Sequence, residues 1–209
     1  MKEITIPVFN NSPDWEKVER LALSNHLWAE EYPCFYASYI KLCAVKSKGL
    51  FVRLFSEEPQ PKAVYTKRDE PIYRDSCMEL FIQPVSDDKR YVNFEINPNA
   101  AYLSEIGTCR ADRALLSSVS DIPCKTNALQ ADSGWGVEIF IPDELIADCF
   151  KLPFSFASQK QLKLNAYKCG DETQYPHYSS LFIVPTPKPD YHRPEFFGSV
   201  KFIDEREVL

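Results

Sequence analysis

Short runs of alternating apolar and polar residues recur along most of this chain, and a period of two is typical of β-strands whose two faces meet different environments. The first run contains Ile4, Ile6 and Val8. The others span residues 36–45, 50–55, 78–83, 91–97, 135–141, 161–169, 180–184 and 197–202. Short strands separated by polar and proline-containing loops predict an all-β sandwich or barrel.

One segment near the N-terminus has a helical pattern instead. Ser12, Pro13 and Asp14 offer a capping residue, a proline for the first helical position and an acidic first turn. We therefore predict a short helix from about residue 13 to residue 24, in which Trp15 packs against the protein rather than against a ligand. Residues 107–132 show no clean period, and a stretch of that length without a period is often functional.

The length and composition are those of a globular β domain. The chain has 209 residues, of which 44% are hydrophobic, and no shift in composition divides it, so residues 1–209 are predicted to form one domain. The net charge of −6 disfavours nucleic acid and anionic membranes as partners. No apolar run has the length of a membrane span.

The seven cysteines are odd in number, widely spaced and without a Cys-x-x-Cys pair. This pattern disfavours a disulfide framework and a structural zinc site, and it is typical of a reducing compartment. The N-terminal residues lack the apolar stretch and the cleavage site of a secretory signal. We therefore predict a cytoplasmic location.

The most informative runs are residues 77–83 and 91–97, which a seven-residue polar loop joins into a predicted antiparallel hairpin. In the second strand, the apolar residues alternate with polar ones, so one face is predicted to be core and the other polar. The register that pairs Phe81 with Asn93 also places Glu79 directly opposite Glu95 on the polar face.

Two carboxylates directly opposite each other destabilise a sheet, so a cation, a shared proton or an array of ligand hydroxyls should offset the cost. A sugar suits this chemistry, because carboxylates and amides bind its hydroxyls while an aromatic ring covers its C–H face. An ordinary solvated sheet face explains the same residues without a ligand.

Two later segments also concentrate polar and aromatic groups. Residues 165–173 run from a strand into a Gly-Asp turn, and His177 and Tyr178 follow. The second segment, residues 190–198, combines histidine, arginine and aromatic residues. A plain turn and loop anchoring explain these segments equally well.

Five segments together resemble the family 9 carbohydrate-binding modules, relatives of the DOMON superfamily, over residues 35–203. They are Tyr73–Ile82, Asn93–Pro98, Trp135–Pro142, Tyr167–Asp171 and Tyr191–Gly198. The resemblance implies an immunoglobulin-like or jelly-roll antiparallel β-sandwich with one or two short helices. It also implies a module that binds a mono- or oligosaccharide without hydrolysing it, on an open polar and aromatic face.

Members of that family hold a terminal sugar between two aromatic rings and bind its hydroxyls with a carboxylate, an arginine and amides. Transferred to this chain, the resemblance places Tyr73 where a tryptophan is usual and makes Glu79 the carboxylate. The second tryptophan is missing near Leu181, and Lys168, Arg74 and Arg110 all qualify as the cation. The predicted ligand-binding residues are Tyr73, Glu79, Asn93, Glu95, Asn97, Lys168, His177 and Tyr178, with Lys168 and His177 on the rim.

Three alternatives remain open at the level of sequence. The domain could have kept the fold as an interaction scaffold and lost the sugar. Glu79 and Glu95 could instead be the acid pair of a glycoside hydrolase, which requires a deep cleft and one carboxyl with a raised pKa. Calcium, structural in relatives, could bind Asp75, Glu79 and Glu95 as oxygen ligands. Haem is disfavoured because Met78 alternates into the core face.

Overall fold

All the strands predicted from the alternating pattern except 180–184 are present in the computed structural model, which describes residues 4–26, 28–131 and 133–207. The strands are β1 (Ile4–Phe9), β2 (Leu21–Ala22), β3 (Ser38–Val45), β4 (Gly49–Ser56), β5 (Cys77–Gln83), β6 (Tyr91–Ile96), β7 (Tyr102–Gly107), β8 (Ala114–Leu115), β9 (Lys125–Leu129), β10 (Trp135–Pro142), β11 (Gln161–Cys169), β12 (Tyr178–Ser180) and β13 (Gly198–Asp204). One α-helix, α1 (Asp143–Phe150), follows β10. Single 3-10 turns cover Ile72–Arg74, Leu116–Ser118, Phe156–Ser158, Pro194–Phe196 and Glu205–Glu207.

The strands form one continuous sheet in the order β8-β7-β6-β5-β11-β13-β1-β3-β4-β10-β9. Two short strands lie beside this path, β12 next to β11 and β2 next to β3. The pairs are antiparallel except that β1 runs parallel to both β13 and β3. The sheet is therefore mixed, and β1 links its two halves.

The two halves of the sheet pack their inner faces on each other. Side chains from β5, β6 and β11 share one apolar core with side chains from β3, β4 and β10; Leu80, Phe94 and Val137 are fully buried examples. The alternation in β6 is as predicted, since Val92, Phe94 and Ile96 all belong to this core. The prediction of an all-β sandwich is thus confirmed. No helix in the described ranges is long and apolar enough to cross a membrane.

The predicted helix over residues 13–24 is wrong. This segment forms turns and then the short strand β2, in which Leu21 pairs with Ile40 of β3. A helix would place Trp15, Val18 and Ala22 on one buried face, but Ala22 is exposed and its neighbour Leu23 is buried. Instead, Trp15 and Val18 pack with Phe9, while Leu21 and Leu23 pack on the main core, so tertiary packing overrides the local capping signal. Trp15 does pack on the protein, in the Phe9 and Val18 cluster.

The real helix, α1, lies where no helix was predicted. It begins after Pro142 with Asp143 and Glu144 in its first turn, which is a favourable place for acidic residues. Its apolar residues Leu145, Ile146, Cys149 and Phe150 enter the main core. The unassigned stretch 107–132 contains the edge strands β8 and β9 and one 3-10 turn, with Asp132 outside the described residues.

The outer face of β5, β6 and β11 is covered rather than open. A second apolar cluster, which includes Phe81, Tyr91, Tyr167, Tyr191 and Phe197, lies on this face. Residues 181–197 form part of the layer that covers this face. The strand predicted over residues 180–184 is not formed there, because β12 ends at Ser180. Asn165 causes this departure, because its side chain bonds the backbone of Phe182 in place of a strand partner.

Candidate functional site

The two predicted acids face each other across the sheet. Glu79 of β5 pairs with Glu95 of β6, and Phe81 pairs with Asn93, so the predicted hairpin register is confirmed. Both acids are nearly inaccessible, with Glu79 4% exposed and Glu95 3% exposed. The acid pair therefore lies at the floor of a covered site and not on an open face, which corrects the prediction of an open polar surface.

A cavity of about 470 Å³ lies above this floor, a size within the range of about 300–1,000 Å³ that small-molecule sites have. Its lining consists of Tyr32, Tyr73, Glu79, Glu95, Arg110, Arg113, Cys169, Asp171, Tyr178, Lys188, Pro189, Asp190, Tyr191 and His192. Four of the predicted ligand-binding residues are in this set: Tyr73, Glu79, Glu95 and Tyr178.

Burial changes the protonation of the acid pair. It raises the pKa of Glu79 to about 7, although a hydrogen bond from the Cys169 thiol to Glu79 Oε1 (2.9 Å) opposes the shift. Burial raises the pKa of Glu95 well above its usual value, and the negative charge of Glu79 raises it further. Burial thus favours the protonated form of both acids, and a protonated carboxyl can donate as well as accept a hydrogen bond.

One oxygen of the acid pair is free to take a ligand. Asn93 Nδ2 donates to Glu95 Oε1 at 3.0 Å, while Glu95 Oε2 has no hydrogen-bond partner within the described part of the chain. A buried polar atom without a partner is costly, so such an atom on a cavity floor indicates a position that a ligand satisfies. Asn93 itself does not line the cavity, and it acts by orienting Glu95.

Two arginines form the cationic side of the cavity. Arg113 forms an ion pair with Glu105 and lies 4.0 Å from Glu95 Oε1, and Arg110 Nη2 lies 3.0 Å from Asp190 Oδ1. Arg110 was one of three candidates from the sequence, whereas Arg113 was missed, since the sequence alone does not show which arginine of the stretch 107–132 approaches Glu95. The candidate Arg74 lies outside the lining and pairs with Glu172.

Four tyrosines give the cavity its aromatic walls: Tyr32, Tyr73, Tyr178 and Tyr191. Tyr73 is 39% exposed at the mouth, and Tyr32 meets Tyr178 edge to face with ring centroids 4.9 Å apart. Trp28 packs its ring against Tyr178 and Tyr191 but lies outside the lining, so it does not replace the tryptophan missing near Leu181. Tyr32 and Trp28 lie far in sequence from Tyr73, Tyr178 and Tyr191, so no local sequence pattern identifies them as members of this aromatic group.

Lys168 and His177 are not on the rim, and that prediction is wrong. Lys168 alternates with Tyr167 and Cys169 along β11, so its side chain lies on the opposite face of the sheet, inside the protein. Its Nζ lies 3.0 Å from Glu58 Oε2 and 2.6 Å from His177 Nε2. The His177 imidazole packs directly on Gly170, where a Cβ would collide with it.

The buried Lys168–Glu58 pair is fully hydrogen-bonded. Glu58 accepts from Ser76 Oγ at 2.7 Å and from Trp135 Nε1 at 3.1 Å, and Lys168 also donates to the Cys169 carbonyl at 2.8 Å. Burial raises the pKa of Glu58, but the charge of Lys168 and these hydrogen bonds outweigh it and give a lowered pKa overall. The pair is thus a structural ion pair beneath the site.

Asn97 and Asp75 anchor a loop and do not line the cavity. Asp75 Oδ2 accepts from Val64 N, Tyr65 N and Asn97 Nδ2 at 2.8–2.9 Å, and Asn97 Oδ1 accepts from Ala101 N. Both side chains therefore bind the backbone around Tyr65. These three N–H donors all bind Asp75 Oδ2, whereas Asp75 Oδ1 has no hydrogen-bond partner in the described part of the chain, so calcium at Asp75 stays a prediction.

Comparison with known proteins identifies a family and several solved structures that this chain resembles. The model of the family described as carbohydrate-binding family 9 matches residues 9–202. A structure from Bacteroides uniformis, of a protein named for an inferred carbohydrate-binding role, has a TM-score of 0.81 and 22% identity and covers 97% of this chain and 99% of its own. No curated protein matches the chain.

Two structures of a family 9 carbohydrate-binding module from Caldicellulosiruptor kristjanssonii are also similar. The complex with cellotriose has a TM-score of 0.65 and 14% identity over 96% of this chain and 93% of the other. The complex with glucose has a TM-score of 0.66 and 14% identity over 96% of each chain. At these identities the similarity establishes the fold.

The ion pair under the site generates a stability prediction. Lys168→Met should lower the free energy of unfolding by about 3–5 kcal/mol, because it leaves the Glu58 carboxylate buried without its cation. Lys168→Met/Glu58→Gln should recover much of that loss. Urea unfolding followed by circular dichroism measures both. Lys163→Met, an exposed position on the same strand, is the control and should change stability by less than about 0.5 kcal/mol. Equal effects of the two lysine substitutions would contradict this account.

His192 generates a prediction about pH. Burial, with the charges of Arg113 and Arg110, lowers its pKa to about 2, and its Nδ1 lies 2.8 Å from the Tyr91 hydroxyl. Below pH 6.5 the unfolded state takes up a proton that the folded state does not, so His192 destabilises the protein as pH falls. The stability of the native protein relative to His192→Gln should drop as pH falls from 6.5 to 5, with a slope that approaches about 1.4 kcal/mol per pH unit near pH 5. Urea unfolding at several pH values tests this, and parallel pH profiles for the two proteins would refute it.

Proposed function

The chain belongs to carbohydrate-binding family 9, and we propose that the cavity over β5, β6 and β11 is where it binds a mono- or oligosaccharide. The observation that carries the proposal is the unpartnered Glu95 Oε2 on the floor of a tyrosine-walled cavity. Relatives of the same fold have been solved with glucose and with cellotriose, so these sugars are the first ligands to test.

The floor is suited to hydroxyl groups. A sugar hydroxyl both donates and accepts a hydrogen bond, and the acid pair can offer both functions because burial raises the pKa of both acids and favours their protonated forms. Arg113, 4.0 Å from Glu95, supplies N–H donors above the same floor. Charge-assisted hydrogen bonds of this kind are stronger than neutral ones and give a sugar its orientation.

The walls are suited to the apolar face of the ring. Tyr73 stands half-exposed at the mouth, and Tyr178 lies within the lining, where Tyr32 and Trp28 support its ring. Aromatic side chains provide large contact areas with few rotatable bonds, so a ring held from behind loses little entropy when it covers a ligand. These rings take the role that tryptophans have in the sugar-binding modules.

A hydrolytic role for Glu79 and Glu95 meets two of its requirements, since the acids lie in a cavity and burial raises the pKa of both. It fails on placement. Glycosidases put an ionised carboxylate and a protonated acid on two sides of the scissile bond. Here both acids come from neighbouring strands on one floor. We therefore assign the site to binding without hydrolysis.

A substitution of Glu95, whose Oε2 has no hydrogen-bond partner in the described part of the chain, tests whether the floor of the cavity binds the sugar. Glu95→Ala should weaken binding of glucose or cellotriose by about 1–3 kcal/mol, or roughly 5- to 150-fold, because it removes a buried hydrogen-bonding group from the ligand. Isothermal titration calorimetry measures the loss. Glu138→Ala, which alters an acid paired with Arg53 outside the cavity, should leave the affinity unchanged.

The same titrations distinguish the competing roles. Recovery of intact ligand by chromatography supports a binding module, whereas release of shorter sugars would establish hydrolysis. If neither these sugars nor a broad glycan array bind the native protein, the cavity is not a sugar site and the scaffold role takes its place. Full affinity in folded Glu95→Ala would remove this acid from the site.

Substitutions of two tyrosines, one in the lining and one outside it, test whether the aromatic walls of the cavity contact the sugar. Tyr73→Ala should weaken sugar binding by about 0.5–1.5 kcal/mol, or roughly two- to twelvefold, through loss of a stacking surface. Tyr175, which is 57% exposed and lies outside the lining, is the control, and Tyr175→Ala should bind as the native protein does. Equal losses in the two variants would show that Tyr73 has no specific contact with the sugar.

A further inference from the structure

Two cysteines and one of the floor acids meet beside the cavity. Cys77 Sγ, Cys169 Sγ and a carboxylate oxygen of Glu79 all lie within 4.8 Å of one another, and all three residues are buried. Among the described residues, they are the one group of three or more potential metal ligands with this spacing. The closest contact is the 2.9 Å separation between Cys169 Sγ and Glu79 Oε1.

The sheet register holds this group together. Cys77 of β5 pairs directly with Cys169 of β11, and Glu79 follows Cys77 by two residues on the same face of the strand. The group therefore depends on neighbouring strands in the interior of the sheet and not on a loop. Ligands carried by regular strands keep their geometry better than ligands on mobile segments do.

The spacing matches a single small metal ion. Zinc binds thiolate sulfur at about 2.3 Å and carboxylate oxygen at about 2.0–2.2 Å, so its ligand atoms lie no more than about 4.6 Å apart. The three ligand atoms lie within 4.8 Å of one another, which is close to this limit, and side-chain rotation can adjust their positions. Two sulfur ligands exclude calcium and magnesium, which take oxygen ligands, and favour a thiophilic divalent ion.

We propose that Cys77, Glu79 and Cys169 form a binding site for a thiophilic divalent metal ion of the Zn²⁺ class. Glu79 and Cys169 line the cavity and Cys77 lies behind them, so an ion reaches the site through the cavity. Glu95, which pairs with Glu79 across β5 and β6, does not belong to this group of three, so any further ligand comes from solvent in the cavity.

The site does not rest on sugar binding, and its test uses the protein without sugar. Co²⁺ is the probe, because it replaces Zn²⁺ in thiolate sites and gives absorption from thiolate-to-metal charge transfer. One equivalent added to the reduced protein, with a phosphine reductant and no thiols present, should produce this absorption. Zn²⁺ should then bind in competition and remove it.

The variants separate this site from other thiols. Cys77→Ser and Cys169→Ser should each lose the charge-transfer absorption or shift it strongly and weaken Co²⁺ binding by more than about tenfold, since even outer-shell changes cost 10- to 100-fold. Cys43→Ser, a buried cysteine in another cluster, and Cys109→Ser, an exposed one, should behave as the native protein does. Circular dichroism checks that each variant folds.

Glu79→Gln keeps both thiols and serves if a cysteine variant fails to fold. It should retain thiolate absorption but bind Co²⁺ more than about tenfold more weakly, because an amide is a poorer ligand than a carboxylate. Absence of thiolate absorption in the reduced native protein would overturn the proposal. So would unchanged binding in all three variants, or a Cys77–Cys169 disulfide that forms in air while no metal binds in the reduced state.

Discussion

The site depends on the pairing of β6, β5 and β11 in one register. This register places Glu95, Glu79 and Tyr167 side by side on the outer face of the sheet and sends the residues between them into the core. A slip by one residue would exchange the two faces, bury the acids in the core and expose its apolar side chains. The core that fixes the fold therefore also fixes the chemistry of the opposite face.

Buried ionisable groups are paired with an opposite charge at hydrogen-bond distance on the inner face of this sheet but not on its outer face. On the inner side, Lys168 and Glu58 satisfy each other and their neighbours, so the pair contributes to one defined arrangement. On the outer side, Glu79 and Glu95 are buried together without a matching cation at hydrogen-bond distance, and the pKa of both acids rises. A fold has no structural reason to keep the second arrangement, and a ligand gives it one.

The sequence predicted what regular alternation determines and missed what tertiary packing determines. The hairpin register, the core face of β6 and the cavity residues Glu79 and Glu95 follow from a period of two. The alternation along β11 could have excluded Lys168 from the rim, since its neighbours Tyr167 and Cys169 both lie on the outer face of the sheet. Tyr32 and Arg113 come from irregular segments brought in by the chain path, and no local pattern records that path.

The same limit explains the metal ligands. Cys77 and Cys169 lie far apart in sequence, so a search for local Cys-x-x-Cys spacing rejects zinc, yet β5 and β11 bring the two thiols directly opposite each other. Ligands on two paired strands have no characteristic separation in sequence, because that separation depends on how the chain connects the strands. Glu79 belongs both to this group and to the acid pair, so a metal ion and a sugar would draw on the same carboxylate. Occupancy of one site then changes the hydrogen-bonding capacity of the other, a coupling that follows from one shared side chain.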